Sequence, residues 1–167
     1  MGDTVNLELV SKSEKDALRA MLDAYLIEHA DLVDPERRQG DPTLYRPFDL
    51  YWIAPERRPL WIVVDDTKVG FALVNSHSPS GLGCDRSIAE FYVSPEYRRS
   101  NVGSRAARAV LSSEAGLWEV QVFRANQPGM AFWPRAIGGA SVANLDQIEE
   151  DERVLFRFTV SSDGLAS

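Results

Sequence analysis

The chain has one cysteine, Cys84, and two histidines, His29 and His77. A single thiol excludes an intrachain disulfide framework, and three such residues scattered along the sequence make a poor zinc set. No apolar run approaches the roughly 20 residues needed to span a bilayer. Residues Met1 to Asn6 hold no basic stretch followed by an apolar one, so no secretory signal is expected. Asn6 breaks the myristoylation pattern that Gly2 begins. Positive charge is in the minority, with 18 Lys and Arg against 25 Asp and Glu and a formal net charge of −7. Without a global positive field to release counterions, nucleic acid is disfavoured as a bulk partner. A soluble, cytoplasmic protein is expected, bound to neither nucleic acid nor membrane.

What remains is ordinary globular material. The 167 residues are 44% hydrophobic and 26% charged. That suits one domain, expected over residues 1–160, with a small polar tail at 161–167 expected to be disordered. Val5, Leu7 and Leu9 alternate with polar residues as in a strand. Leu18, Met21, Leu22, Tyr25 and Leu26 recur at helical spacing after Ser11 or Ser13, either of which can cap. Residues 31–58 hold four prolines and read as a short helix plus an ordered loop. Leu60 to Val64 and Val69 to Asn75 read as a hairpin turning at Asp65-Asp66-Thr67-Lys68. A third strand spans Ile88 to Val93, a helix Gly103 to Ala115, a strand Leu117 to Phe123 and a helix Asn126 to Ile137. A last strand runs through Val154, Phe156, Phe158 and Val160. Interleaved hairpins and helices favour an α/β or α+β sheet with helices on both faces.

One segment carries chemistry: Tyr92-Val93-Ser94-Pro95-Glu96-Tyr97-Arg98-Arg99-Ser100-Asn101-Val102-Gly103-Ser104. A strand ends, a loop turns and a helix begins. The first helical turn offers unpaired N–H groups and the positive end of the macrodipole. Small residues there let a phosphate approach the backbone, and arginine binds its oxygens in a bidentate way. The segment therefore reads as a pyrophosphate cradle or as a solvated basic loop capping a helix. It is neither a Walker loop nor a dinucleotide-binding glycine fingerprint.

Arg98-Arg99-Ser100-Asn101-Val102-Gly103, after a strand ending in Val and a Pro-Glu-Tyr-Arg turn, resembles the acyl-CoA motif of the GNAT superfamily of N-acyltransferases. Asn101 stands at the motif's first glycine, and Asn is the non-glycine residue that best accepts a positive φ. Downstream, Asn126, Gly129, Trp133 and Gly138 are similar to the family's second signature. The upstream hairpin also fits, so the likeness runs from Val5 to Val160. The resemblance implies a mixed, antiparallel-rich sheet of about six or seven strands, splayed between the fourth and fifth, with helices on both faces.

The same resemblance implies acetyl-CoA as co-substrate and a primary amine of a small molecule or peptide as acceptor. Phe91 and Val93 would pair with the pantetheine, residues Arg98, Arg99, Ser100, Asn101, Val102, Gly103 and Ser104 would hold the pyrophosphate, and Asn126 would bond the pantetheine. A base must deprotonate the amine. Glu90 is the first candidate and Glu119 the second, each otherwise a strand-face carboxylate paired with an arginine. Trp133 occupies the position of the family's usual acidic Tyr and is not itself a useful acid, so either Tyr92 or another Tyr protonates the leaving thiolate, or the thiolate leaves unaided, helped by local N–H groups. Tyr45, Tyr51 and Trp52 either line the acceptor pocket or plug the core under a loop. His29 and His77 read as surface residues. An acyl-CoA-binding sensor without turnover, or an unrelated phosphate-binding domain, would share the cradle, and a homodimer is compatible with the family.

Overall fold

The computed structural model describes residues 4–33 and 40–162. Strand β1 (Val5–Leu9) leads to helix α1 (Lys15–Val33). Ser11 starts the turn before α1, its N–H donating to Glu14 Oε1 at 3.0 Å. Strands β2 (Arg58–Val64) and β3 (Thr67–Asn75) form the expected hairpin. Asp65 and Asp66 both take positive φ, 47° and 68°, as a two-residue turn matched to strand twist requires. Then come β4 (Arg86–Val93), α2 (Val102–Leu111), β5 (Gly116–Phe123), α3 (Gln127–Gly138), β6 (Val142–Glu149) and β7 (Arg153–Val160).

The strands form one sheet ordered β1-β2-β3-β4-β5-β7-β6. Every pair is antiparallel except β4 with β5. This is the mixed, antiparallel-rich sheet expected from the sequence, with helices on both faces. On one face Trp118, Val120 and Val122 of β5 pack against Ala107 and Val110 of α2 and Ile137 of α3. On the other, Leu18 and Leu22 of α1 meet Trp61, Phe71 and Leu73. Each fully buried leucine contributes about 1.5–3 kcal/mol.

Two expectations need correction. Strand β6 was not foreseen. It is a sheet edge whose residues are mostly exposed, so it carries no alternation to read, and a bulge with Asn144 at φ 55° breaks its register. The helix expected within 31–58 appears among the described residues only as a 3-10 turn, Phe48–Trp52. The tail expected at 161–167 falls mainly on residues 163–167, which lie outside the described residues.

One irregularity positions everything that follows. Val74 pairs with Ile88, but Leu73 pairs with Glu90, so Ala89 is an extra residue in β4. A bulge of this kind bends its strand and shifts the alternation of faces by one. Ile88 thus packs in the α2/α3 core, while Glu90 turns toward α1. The bend also ends the contact with β5. Only Arg86, Ser87 and Ile88 pair with it, whereas β5 pairs with β7 over eight residues. Beyond Ile88 the two central strands diverge.

Candidate active site

The divergence opens a cleft of about 660 Å³ between β4, the start of α2, and α3. Its backbone wall follows from the register of β4. The Ser94 N–H donates to the Val69 carbonyl at 2.8 Å. Alternation then leaves Phe91 and Val93 in non-hydrogen-bonded pairs with Ala72 and Gly70. Their N–H groups face the gap that β5 has left. Phe91 and Val93 are the two residues expected from the sequence to pair with an extended chain. The Val93 carbonyl is taken, accepting from Arg98 Nε at 2.8 Å.

At the far end of the cleft the loop enters α2 through two residues of positive φ, Arg99 at 68° and Asn101 at 66°. Asn101 makes no side-chain cap, so the first-turn N–H groups of α2 stay open to a ligand. Arg99, Arg108 and Arg135 line the same space, along with Gly103 and Ser104. A Cβ on Gly103 would lie 3.1 Å from Phe132 Cε1. The glycine therefore serves the close packing of α2 on α3 as well as the approach of a phosphate. This basic, donor-rich end suits a polyphosphate.

Other expected site residues divide differently. Arg98 is committed elsewhere: it holds Glu28 by two bonds, 2.8 and 3.0 Å, and lies over the Tyr92 ring. It braces the loop against α1 rather than standing free for phosphate. Ser100 and Val102 do not line the cleft; the Ser100 hydroxyl donates to the Tyr97 carbonyl at 2.8 Å and Val102 is buried. Asn126 caps α3, its Oδ1 accepting from the Gly129 N–H at 3.0 Å. Only its NH₂ remains to donate into the cleft. Trp133 closes the apolar floor with Phe91 and Phe132, ring centroids 5.0–5.7 Å apart.

Glu119 is not placed as a base. Its carboxylate is buried and accepts from Ser78 Oγ (2.9 Å), the Ser80 N–H (2.9 Å) and Ser80 Oγ (2.8 Å), and it pairs with Arg157. Burial pushes its pKa up, but these donors outweigh it and hold the carboxyl below the usual range. Tyr92 is a buried ring against Phe71 and Tyr25. Burial, with Glu28 beside it, raises its phenol pKa and makes it a poorer acid.

Glu90 stands apart. The Tyr25 hydroxyl donates to its Oε2 at 2.6 Å. Burial pushes its pKa up from 4.5 to about 7, against the opposing pull of that bond. Tyr25 lines the first cleft, and Glu90 lines a second cavity of about 350 Å³ on the α1 face. The pair is the partition between the two spaces. Tyr25 was read from sequence as a core position of α1, and its ring does pack there. The overlooked signal was its hydroxyl, which needs a partner when buried.

The second cavity also takes Tyr45, Arg57, His77 and Gln121. Tyr45 is where the acceptor wall was expected. Tyr51 and Trp52 are not: Tyr51 is buried and accepts from Asn75 Nδ2 at 3.2 Å, and Trp52 Nε1 donates to the Val10 carbonyl at 3.0 Å. Both plug the core beneath the loop. His77 is exposed at the rim, but His29 stacks on Tyr25 (5.3 Å) and lines the first cleft.

The family model described as "Acetyltransferase (GNAT) family" matches residues 20–160. The chain belongs to this family. No curated protein matches the GNAT chain in sequence. Among solved structures it is similar to a GNAT acetyltransferase from Streptococcus agalactiae, with 10% identity, TM-score 0.71 and coverage of 95% of this chain and 96% of that one. An N-acetyltransferase from Thermoplasma acidophilum, solved with coenzyme A, shares 13% identity at TM-score 0.61, covering 94% and 99%. A Salmonella typhimurium protein solved with its cofactor acetyl-CoA shares 11% identity at TM-score 0.58, covering 98% and 97%. These likenesses establish the fold. The splayed strands and the open α2 terminus are the features that the resemblance to the GNAT family led us to expect.

Proposed function

We propose that the protein transfers the acetyl group of acetyl-CoA to a primary amine of a small molecule or peptide, by direct attack in a ternary complex. Glu90 carries the reading: it lines the smaller cavity, is hydrogen-bonded to Tyr25 of the larger cleft, and has its pKa raised to about 7. Acetyl-CoA suits the larger cleft. Its pyrophosphate would take the N–H groups of α2 with Arg99, and its pantetheine the free N–H groups of Phe91 and Val93. The same N–H groups can polarise the thioester carbonyl.

The amine enters from the smaller cavity as an ammonium ion. Glu90 in its ionised form takes one proton, directly or through water, and frees the nitrogen lone pair. That pair attacks the acetyl carbon, the C–S bond breaks, and the second nitrogen proton passes to the thiolate. The balance is amine cation plus acetyl-CoA giving amide, free CoA thiol and one proton. No side-chain acid is required, since the thiolate is a good leaving group near neutral pH.

Calorimetry with acetyl-CoA, followed by thiol-release assays across an amine panel, tests this. Binding in about the micromolar range with amine-dependent release is expected. No binding would overturn the whole reading. Binding without amine-dependent release would identify an acyl-CoA sensor and refute the transfer.

A further inference from the structure

Among the described residues, several arginines meet a carboxylate. Arg19 pairs with Asp23, Arg58 and Arg86 with Glu114, Arg98 with Glu28, Arg153 with Glu150 and Arg157 with Glu119. Arg57 does not. It lines the smaller cavity, half-buried, and its guanidinium contacts the Tyr51 ring face at 5.3 Å. Among the described residues no carboxylate lies within ion-pair reach of it.

The cavity does contain a carboxylate, Glu90, but the two are not an ion pair. Glu90 is held by Tyr25, and its pKa responds to burial and to that bond. A cation and a carboxylate that share a space without touching leave two poles to be filled. Gln121 adds a donor to the same cavity. Its Oε1 accepts from Arg153 at 2.6 Å, so its NH₂ is left for the cavity. Asn75 lines the cavity too, with its Oδ1 taken by His77 and Ser87 and one amide hydrogen given to Tyr51.

We infer that the acceptor is an amino acid or a similarly small amino-carboxylate, with its amine at Glu90 and its carboxylate held by Arg57. This rests on the transfer reading above and names its substrate class. The physics is charge matching in a confined space. A guanidinium binds a carboxylate through two parallel N–H bonds, and a half-buried cation gains most from a ligand that neutralises it. One guanidinium balances a monoanion. A phosphate dianion would call for a second cation, and Arg57 is the sole Lys or Arg lining this cavity among the described residues. The volume, about 350 Å³, suits a molecule of amino-acid size.

The test uses the common α-amino acids, β-alanine and 4-aminobutyrate, each beside its carboxamide, with acetyl-CoA and the wild-type and Arg57→Met proteins. Methionine keeps an apolar stem on Tyr51 and removes the charge. For the best acceptor, the carboxylate form should exceed its carboxamide in kcat/KM by about 10- to 100-fold, mainly through KM. Arg57→Met should bring that ratio close to one, and Arg57→Lys should recover part of it. Calorimetric acetyl-CoA binding reports whether each variant is folded. Equal turnover of carboxylate and carboxamide by wild type, or an equal loss of both in Arg57→Met, would overturn the assignment. If nothing is acetylated, calorimetry with the same amino acids decides. Carboxylate-selective binding that Arg57→Met abolishes upholds the site while the transfer reading fails, and no such binding refutes the site too.

Discussion

Replacing Glu90 with Gln should damage activity and strengthen the fold, and the strengthening should depend on pH. In the unfolded chain this carboxyl titrates near 4.5; in the folded protein it titrates at about 7 because burial disfavours its charge. A folded pKa above the unfolded one means stability that is fully present below pH 4.5 and lost as pH rises through 7. Above pH 7 the native state carries an ionised, poorly solvated carboxylate. At about 1.4 kcal/mol per pH unit the interval between 4.5 and 7 amounts to about 3 kcal/mol. Glu90 is only half-buried, so solvent screening reduces this to about 1–2 kcal/mol. Gln cannot ionise and can still accept from the Tyr25 hydroxyl. Its melting temperature should therefore match wild type near pH 4.5 and exceed it by several degrees at pH 8.5, at about 2–4 °C per kcal/mol for a chain of this size. Thermal melts at the two pH values measure this. In parallel, wild-type kcat/KM should rise with pH to a plateau past an inflection near 7, and the variant should lose about 100-fold of it. An identical melting difference at both pH values would refute the burial argument. Unchanged turnover would refute the role of base.

Glu119→Gln should behave in the opposite way: it strands Arg157 without its partner and should cost about 3 kcal/mol in denaturant unfolding, while the pH inflection of turnover stays where wild type has it. A shifted inflection would bring Glu119 back as a proton carrier. Because the carboxyl of Glu119 is held low, its stabilisation should persist above its unfolded pKa and vanish as pH falls through the folded one, which acid titration of the melt can follow. Gly103→Val should push Phe132 into the larger cleft and weaken acetyl-CoA binding at least about tenfold by calorimetry. Unaltered affinity would mean that the α2 terminus is not the phosphate site.

The parts legible in the sequence were those encoded locally. The cradle is a strand, a loop and a helix start within thirteen consecutive residues, so chemistry and spacing are visible together. Asn101 was expected at a positive φ and adopts one. Glu90 could be named because it lies three residues before Val93 on one strand. Its partner Tyr25 lies 65 residues away, and only the fold brings them to 2.6 Å. Arg57 was hidden for a similar reason. An arginine in a proline-broken, charge-rich loop looks solvated until the loop is seen to line a cavity. Asn126 and Arg98 show the converse limit: both were named from the sequence as cofactor contacts, but their atoms are engaged with Gly129 and with Glu28. Strand β6 left no periodic trace because an exposed edge buries neither face.

The extra residue at Ala89 makes the site a matter of counting rather than of chemical identity. Alanine itself contributes little there; its presence bends the strand away from β5. Shortening β4 by that one residue would leave Glu90 on the α1 face, directly after Ile88, but would straighten the strand and let β5 zip onto β4 beyond Ile88. The donor cleft would close and β5 would take the N–H groups of Phe91 and Val93, although every side chain implicated in the site would still be in the sequence. Tolerance to substitution at position 89 and intolerance to its deletion should therefore diverge sharply, and a scan by substitution alone would pass over the residue on which the geometry turns.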